Sequence, residues 1–236
     1  MASTGAAGRR PPPLSEEGSA EAQKRAAAEA AAELVQDGMR VGLGTGSTVA
    51  HLLPALAARG LSGLRCVATS PATERLAREL GLEVLALDEV GELDVAIDGA
   101  DQVDPACWLV KGGGGAHVRE KIVAAAARRF VVIVSAEKVV AELTAPVPLE
   151  LLAFGAASTL AALAPAELRA GAPLSPDGGL IADYLGPVDD PGALAARLSA
   201  TPGVVGHGLF EPEMVSDVLV GEPDGGVTHR AGPKRP

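Results

Sequence analysis

Apolar residues along this chain fall into two alternating textures. Short unbroken runs of Val, Leu and Ile end at glycine or a hydroxyl, and between them lie longer alanine-rich stretches punctuated by charge. Glu21 to Gln36 predicts a helix closed by Asp37-Gly38, Arg40 to Leu43 a strand, and Gly44-Thr45-Gly46-Ser47-Thr48 the loop that opens a second helix reaching about Ala58. Leu64 to Ala68 reads as the next strand, halted by Thr69-Ser70-Pro71 before a helix through Leu80. Glu83 to Leu87, Leu93 to Ile97, Trp108 to Val110 and Phe130 to Val134 follow as strands. Continuous apolar strands separated by helices imply a parallel sheet covered on both faces, a doubly wound α/β core.

Past about Ala145 the pattern shortens. Pro146 to Leu151, Leu180 to Tyr184 and Gly203 to Val205 read as strands, and Ala156 to Leu163 and Gly192 to Ser199 as helices, split by loops rich in Pro and Gly. We expect a small α+β unit over 146–211, packed on a main domain of 20–145 that Met214 to Gly221 completes within 212–225. The segments 1–19 and 226–236 lack apolar periodicity and are expected to be unstructured tails.

Composition narrows the function. Aromatics make up 2% of the chain, too few for base-stacking platforms, and a net charge of −10 repels polyanions, so nucleic-acid binding is not expected. No apolar stretch reaches membrane-spanning length and no signal-peptide core stands at the amino terminus. Cys66 and Cys107 have neither zinc nor disulfide spacing and read as reduced, buried thiols of a cytoplasmic protein.

Candidate chemistry gathers at three strand ends, where open parallel sheets bind ligands. Gly42-Leu43-Gly44-Thr45-Gly46-Ser47-Thr48 departs from the dinucleotide fingerprint, because its third glycine would fall at Ser47 and no acid follows the next strand. Backbone N–H groups and hydroxyls at a helix start suit a phosphate instead. In Asp98-Gly99-Ala100-Asp101-Gln102-Val103-Asp104, three carboxylates either hold a cation such as Mg²⁺ or bind sugar hydroxyls. Lys111-Gly112-Gly113-Gly114-Gly115 runs into Arg119-Glu120-Lys121, which puts Glu120 in the opening turn of a helix, where the macrodipole favours its ionised form. Glu120 is thus the candidate base and His117, three residues earlier, its rival. Lys111 and the loop N–H groups are candidate oxyanion donors, and Lys24, Lys111, Lys121 and Lys138 are candidates to attract an anionic substrate to an acidic protein.

With these segments in order, the chain resembles ribose-5-phosphate isomerase of the A type. The resemblance rests on Val41 to Thr48, Ala96 to Asp101, Lys111 to Gly115 with Arg119-Glu120-Lys121, and Pro202 to Val205 with Gly208-Leu209-Phe210. It implies a Rossmann-like domain with a smaller ferredoxin-like domain, a homodimer or homotetramer, no metal or organic cofactor, and isomerisation of a phosphorylated pentose. By position, Glu120 matches the proton-transferring base, and Asp98, Asp101 and Lys111 match its other catalytic groups. Thr45, Gly46, Ser47 and Thr48, then Gly99 and Ala100, then Gly112, Gly113 and Gly114 match substrate-binding segments, with Lys24 and Lys138 near the substrate. Gln102, His117 and Gly206-His207 depart from the family pattern, and Asp177 to Asp183 follows it loosely. Related folds also host amino-sugar phosphate deaminases and acyl-CoA transferases, and a sugar-phosphate sensor is the non-enzymatic alternative.

Overall fold

The computed structural model describes residues 16–233. In chain order, α1 (Glu16–Ala32) precedes β1 (Arg40–Leu43), α2 (Ser47–Ala58), β2 (Arg65–Ala68), α3 (Pro71–Glu79), α4 (Leu87–Val90) and β3 (Val95–Asp98). Next come β4 (Gln102–Val103), β5 (Leu109–Val110), α5 (His117–Ala126), β6 (Phe130–Ser135), β7 (Val147–Leu151), α6 (Ala156–Ala162) and β8 (Ala166–Leu168). The chain ends through β9 (Leu180–Tyr184), α7 (Pro191–Ala200), β10 (Val204–His207), β11 (Leu209–Phe210), β12 (Asp217–Gly221) and β13 (Val227–Ala231).

Six strands form the main sheet in the order β13-β12-β6-β3-β1-β2, all parallel except the β13 edge. Alanines 27, 28, 31 and 32 of α1 are fully buried beside Leu52 and Leu56 of α2 and the sheet residues Val41, Leu43, Ile97 and Ile133. Such small side chains let the helix backbone approach the sheet closely: a Cβ on Gly221 would overlap the Gln23 carbonyl of α1. The opposite face packs Ala96, Val132 and Val218 against Val123 and Ala124 of α5 and against Leu109 and Phe210 of a three-stranded antiparallel sheet, β11-β5-β4. A second antiparallel sheet, β10-β7-β9-β8, has its own core, in which Leu149, Leu151 and Ala182 meet Leu194 and Leu198 of α7. The architecture is two-domain α/β.

β1 has β2 on one side and β3 on the other, so the chain reverses direction across the sheet between β1 and β3. Their carboxyl ends therefore open a crevice at a topological switch point, with the Gly44–Gly46 and Asp98–Ala100 loops as its lips.

Four expectations need correction. Trp108 to Val110 contributes β5 to the small antiparallel sheet, not to the parallel one. Glu83 to Leu87 makes one bridge, Cys66 to Val84, and then turns into α4, because Asp88 and Glu89 favour a helix start. Of the expected amino-terminal tail, 1–15 lies outside the described residues while 16–19 belong to α1. Of the expected carboxyl-terminal tail, 234–236 lies outside them, but Val227–Ala231 is an ordered edge strand. It buries almost no apolar surface and is held by polar contacts, His229 Nε2 to Asp217 Oδ1 at 2.6 Å and Arg230 to the Pro105 carbonyl at 3.1 Å, which hydrophobic patterning does not register.

Candidate active site

The crevice deepens into a cavity of about 280 Å³. Thr45, Gly46, Ser47 and Thr48 wall one side. Gly46 takes a φ of 123° and caps α2 without a side-chain hydrogen bond, so the first N–H groups of that helix remain turned toward the opening. Thr45 itself is anchored, its hydroxyl 2.8 Å from that of Thr69. Lys24 of α1 and Lys138, which follows β6, line the same cavity. A dianion at this end meets a helix N-terminus and two ammonium groups.

The other wall is the glycine loop. Gly112 and Gly115 have φ values of 107° and 72°, which a side chain would strain, and the Gly115 N–H donates to the Gly112 carbonyl at 3.0 Å to close the turn. Gly113 and Gly114 face the cavity, as do Gly99, Ala100 and Asp101 from the opposite lip, and Asp101 Oδ2 accepts the Gly113 N–H at 2.9 Å.

At the floor Lys111 and Glu120 meet. Lys111 Nζ lies 3.0 Å from Glu120 Oε2, 2.9 Å from Asp98 Oδ2 and 2.5 Å from the Gly99 carbonyl that accepts its proton. All three side chains are at least 95% buried. The Gly99 carbonyl takes a hydrogen bond from the ammonium, while the two carboxylates meet it as ion pairs. Burial pushes the Glu120 carboxyl up to about 7, opposed by Lys111 and reinforced by Asp98. Burial also raises Asp98, against the pull of Lys111 and of the Thr45 and Gly99 N–H groups that it accepts at 3.0 and 2.7 Å. For Lys111, burial works against the charge, but the two carboxylates outweigh it and hold the ammonium protonated.

The structure thus brings together Lys24, Thr45 to Thr48, Gly99 to Asp101, Lys111 to Gly114, Glu120 and Lys138. Asp98 sits beneath the wall, behind Lys111, rather than on it. Three other candidates fall elsewhere. Asp104 accepts the Trp108 N–H at 2.8 Å in a turn, so the acidic loop does not converge on one point, and of its carboxylates it is Asp98 that meets Lys111. Among the described residues, no group of three or more His, Cys, Asp or Glu side chains is placed to hold a metal ion.

His117 is fully buried against Gly112, away from the cavity, and burial depresses its ring to about 4, partly countered by the nearby Gly206 carbonyl. It is neutral and out of reach of a substrate. Lys121 stays out of the cavity lining, donating to the Leu209 carbonyl at 2.7 Å over the Phe210 ring, where burial lowers it to about 8. The sequence departures also find structural places. Gln102 staples Thr144 through both backbone groups, Gly206 leaves room for Val118 of α5, and His207 bridges Ser199 and Lys121.

One cavity residue escaped the sequence reading. Glu137 lines the site beside Lys138 and accepts the Ser135 hydroxyl at 2.8 Å. Its position just past the carboxyl end of β6 was the available signal.

Residues 65–225 match the family model of ribose 5-phosphate isomerase A (phosphoriboisomerase A). Ribose-5-phosphate isomerase A of Caulobacter vibrioides is 48% identical over 223 residues, covering 89% of this chain and 98% of that relative. The Roseiflexus sp. RS-1 protein of the same name is 48% identical over 217 residues, covering 86% and 93%. Among solved structures, a D-ribose-5-phosphate isomerase in complex with phospho-erythronic acid superposes with a TM-score of 0.85 at 35% identity, over 90% of this chain and 99% of that one. Ribose 5 phosphate isomerase A from Neisseria gonorrhoeae gives 0.84 at 34% identity, over 89% and 96%. No helix among the described residues is long and apolar enough to cross a membrane.

Proposed function

The chain belongs to the ribose-5-phosphate isomerase A family and interconverts D-ribose 5-phosphate and D-ribulose 5-phosphate in the non-oxidative pentose phosphate pathway, and from that premise we propose how its own residues divide the work. Glu120 is the base. It takes the proton from C2 of the open-chain aldose and returns it to C1, while the hydroxyl proton of O2 passes to O1 through the enediolate between the two carbons. A single carboxylate on one face of that plane serves both transfers.

Lys111 is the counter-charge of this base. Its ammonium is already surrounded by Glu120, Asp98 and the Gly99 carbonyl, so it holds Glu120 in place and keeps a buried carboxylate ionisable near neutral pH. Asp98 in turn fixes Lys111. Stabilisation of the enediolate oxygens then falls to the Gly114 N–H of the glycine loop, and sugar hydroxyls and ring opening to Asp101. The phosphate docks on the α2 amino terminus with Lys24 and Lys138, and its binding energy keeps the reacting carbons in register with Glu120.

The observation that carries this reading is the buried Glu120–Lys111 pair of 3.0 Å on the floor of a cavity whose far end is built for an anion. Incubation with ribose 5-phosphate should yield ketose. Binding without ketose would leave a sensor, and ammonia release from glucosamine 6-phosphate a deaminase. Phospho-erythronic acid, bound by a structural relative, ends in a carboxylate that resembles the two-oxygen end of the enediolate and should compete for the same cavity.

We place the domain boundary near 146 and 211 and the enzyme in the cytoplasm, as a homodimer or homotetramer. Phe154, 94% exposed beside the half-exposed Leu152 on the smaller unit, is apolar surface of the kind that subunits cover.

A further inference from the structure

Arg169 follows β8 in the smaller unit, and its guanidinium is shared between two sets of partners. Nε and Nη2 donate to the two oxygens of Asp183 on β9 at 2.8 and 2.6 Å, a bidentate fork. That leaves Nη1, which donates to the carbonyls of Gly112 at 3.2 Å and Gly113 at 2.9 Å. Neither Arg169 nor Asp183 lines the catalytic cavity. The arginine reaches the glycine loop from behind, through a separate cavity of about 630 Å³ whose shared wall with the first includes Thr45, Gly113 and Gly114.

A trans peptide is planar, with its carbonyl and N–H on opposite edges. Drawing the Gly112 carbonyl toward Arg169 therefore turns the Gly113 N–H the other way, onto Asp101 Oδ2 at 2.9 Å. Drawing the Gly113 carbonyl the same way turns the Gly114 N–H away from Arg169, toward the sugar side. The Gly112 carbonyl is also held by the Gly115 N–H at 3.0 Å, so the grip of Arg169 matters most for the Gly113–Gly114 plane, where glycine has the widest backbone freedom of any residue.

We propose that Arg169, clamped by Asp183, is a positioning residue of the isomerase reaction: it sets the peptide planes of Gly112–Gly113 and Gly113–Gly114 so that Asp101 and the Gly114 N–H meet the reacting end of the sugar. The role needs arginine. A lysine carries the charge but has no planar fork that can hold a carboxylate and two carbonyls together. The inference rests on the isomerase reading above, and adds to it a link from the second domain into the catalytic loop.

The test uses the full chain and the variants R169M, R169K and D183N, with kcat and KM for ribose 5-phosphate, the affinity for phospho-erythronic acid and the melting temperature measured for each. The parent's ketose formation is measured first; its absence would remove the isomerase reading itself, whatever the variants do. With an active parent, kcat of R169M should fall by about 10²-fold, the scale of a small misplacement of catalytic groups. KM should change little, because the phosphate end is untouched, and phospho-erythronic acid should bind more weakly. R169K should fall with R169M. Parental kcat in R169M, or an R169K variant indistinguishable from the parent, would overturn the proposal, as would equal losses in kcat and in affinity for ribose 5-phosphate. If R169M fails to fold, D183N decides: it keeps the shape but weakens the clamp, and should lower kcat at constant KM, whereas parental kcat would refute the role.

Discussion

Glu120 and Lys111 lie 3.0 Å apart with both side chains almost wholly buried, so the proposed base is neutralised by a partner held beside it out of bulk water. A lone buried carboxylate would stay protonated and inert at neutral pH, whereas one beside an ammonium can reach its anionic form. The pair converts an expensive burial into a usable base.

Glu120→Gln should lower kcat by about 10²- to 10⁴-fold, the range for loss of a positioned base, while ribose 5-phosphate still binds. In the parent, log kcat/KM should climb with pH and level off above about 7, since Glu120 acts ionised and burial has raised it to that value. The same shift predicts stability. Between an ordinary carboxylate value and about 7 the folded protein binds a proton that the unfolded chain has released, so Glu120 erodes stability as pH rises through that window. The stability difference between Glu120→Gln and parent should therefore shift in the variant's favour as pH rises from 5 to 8. A flat difference would mean that Glu120 titrates normally.

Lys111→Met leaves Asp98 and Glu120 buried without their cation. Breaking such a pair from one side costs roughly 3–5 kcal/mol. Urea unfolding at pH 8 should show that loss, and any residual activity should have its acidic limb moved above that of the parent. A limb that stays in place would take Lys111 out of electrical contact with the base.

His117→Leu should keep most of the parental kcat, because the ring is buried away from the cavity. Its effect belongs to acid stability. His117 and His207 are held down by burial to about 4 and about 3, so below the ordinary imidazole value the unfolded chain takes up protons that the folded one refuses. Stability is whole above about pH 6.5 and drains as pH falls toward 4. The variant should lose less melting temperature over that interval than the parent, and an equally steep loss would show that His117 titrates freely in the fold.

Gly44→Ala would drive a methyl group into the Asp98 carboxyl, which the Thr45 and Gly99 N–H groups and Lys111 already immobilise. Overpacking of this kind costs about 1–3 kcal/mol. Unfolding and assay together should show lost stability and lost turnover, because the residue displaced is the one that seats the lysine.

The site was legible where local grammar carries it. A strand ending in Asp98, a glycine loop after Lys111 and a helix opening before Glu120 are short-range patterns, and each marks a strand end or a helix start. Arg169 was not legible, since its partners Gly112 and Gly113 lie 56 and more positions away and nothing periodic connects them. The burial of Lys111 and the absence of Lys121 from the cavity lining were likewise hidden, because lysines look alike in a sequence until packing separates them. The edge strand at 227–231 escaped for a related reason: its pairing is paid in backbone and polar contacts rather than in buried apolar area.

The glycine wall between the two cavities also limits how this enzyme can diversify. A methyl at Gly112 would come within 2.7 Å of the His117 ring and 2.9 Å of Pro148, one at Gly113 within 3.0 Å of Asp101, and Gly115 is bound to its left-handed backbone. Gly114 alone has slack, its nearest neighbour being the Thr45 methyl at 3.5 Å. Variation within this wall is thus funnelled into a single position.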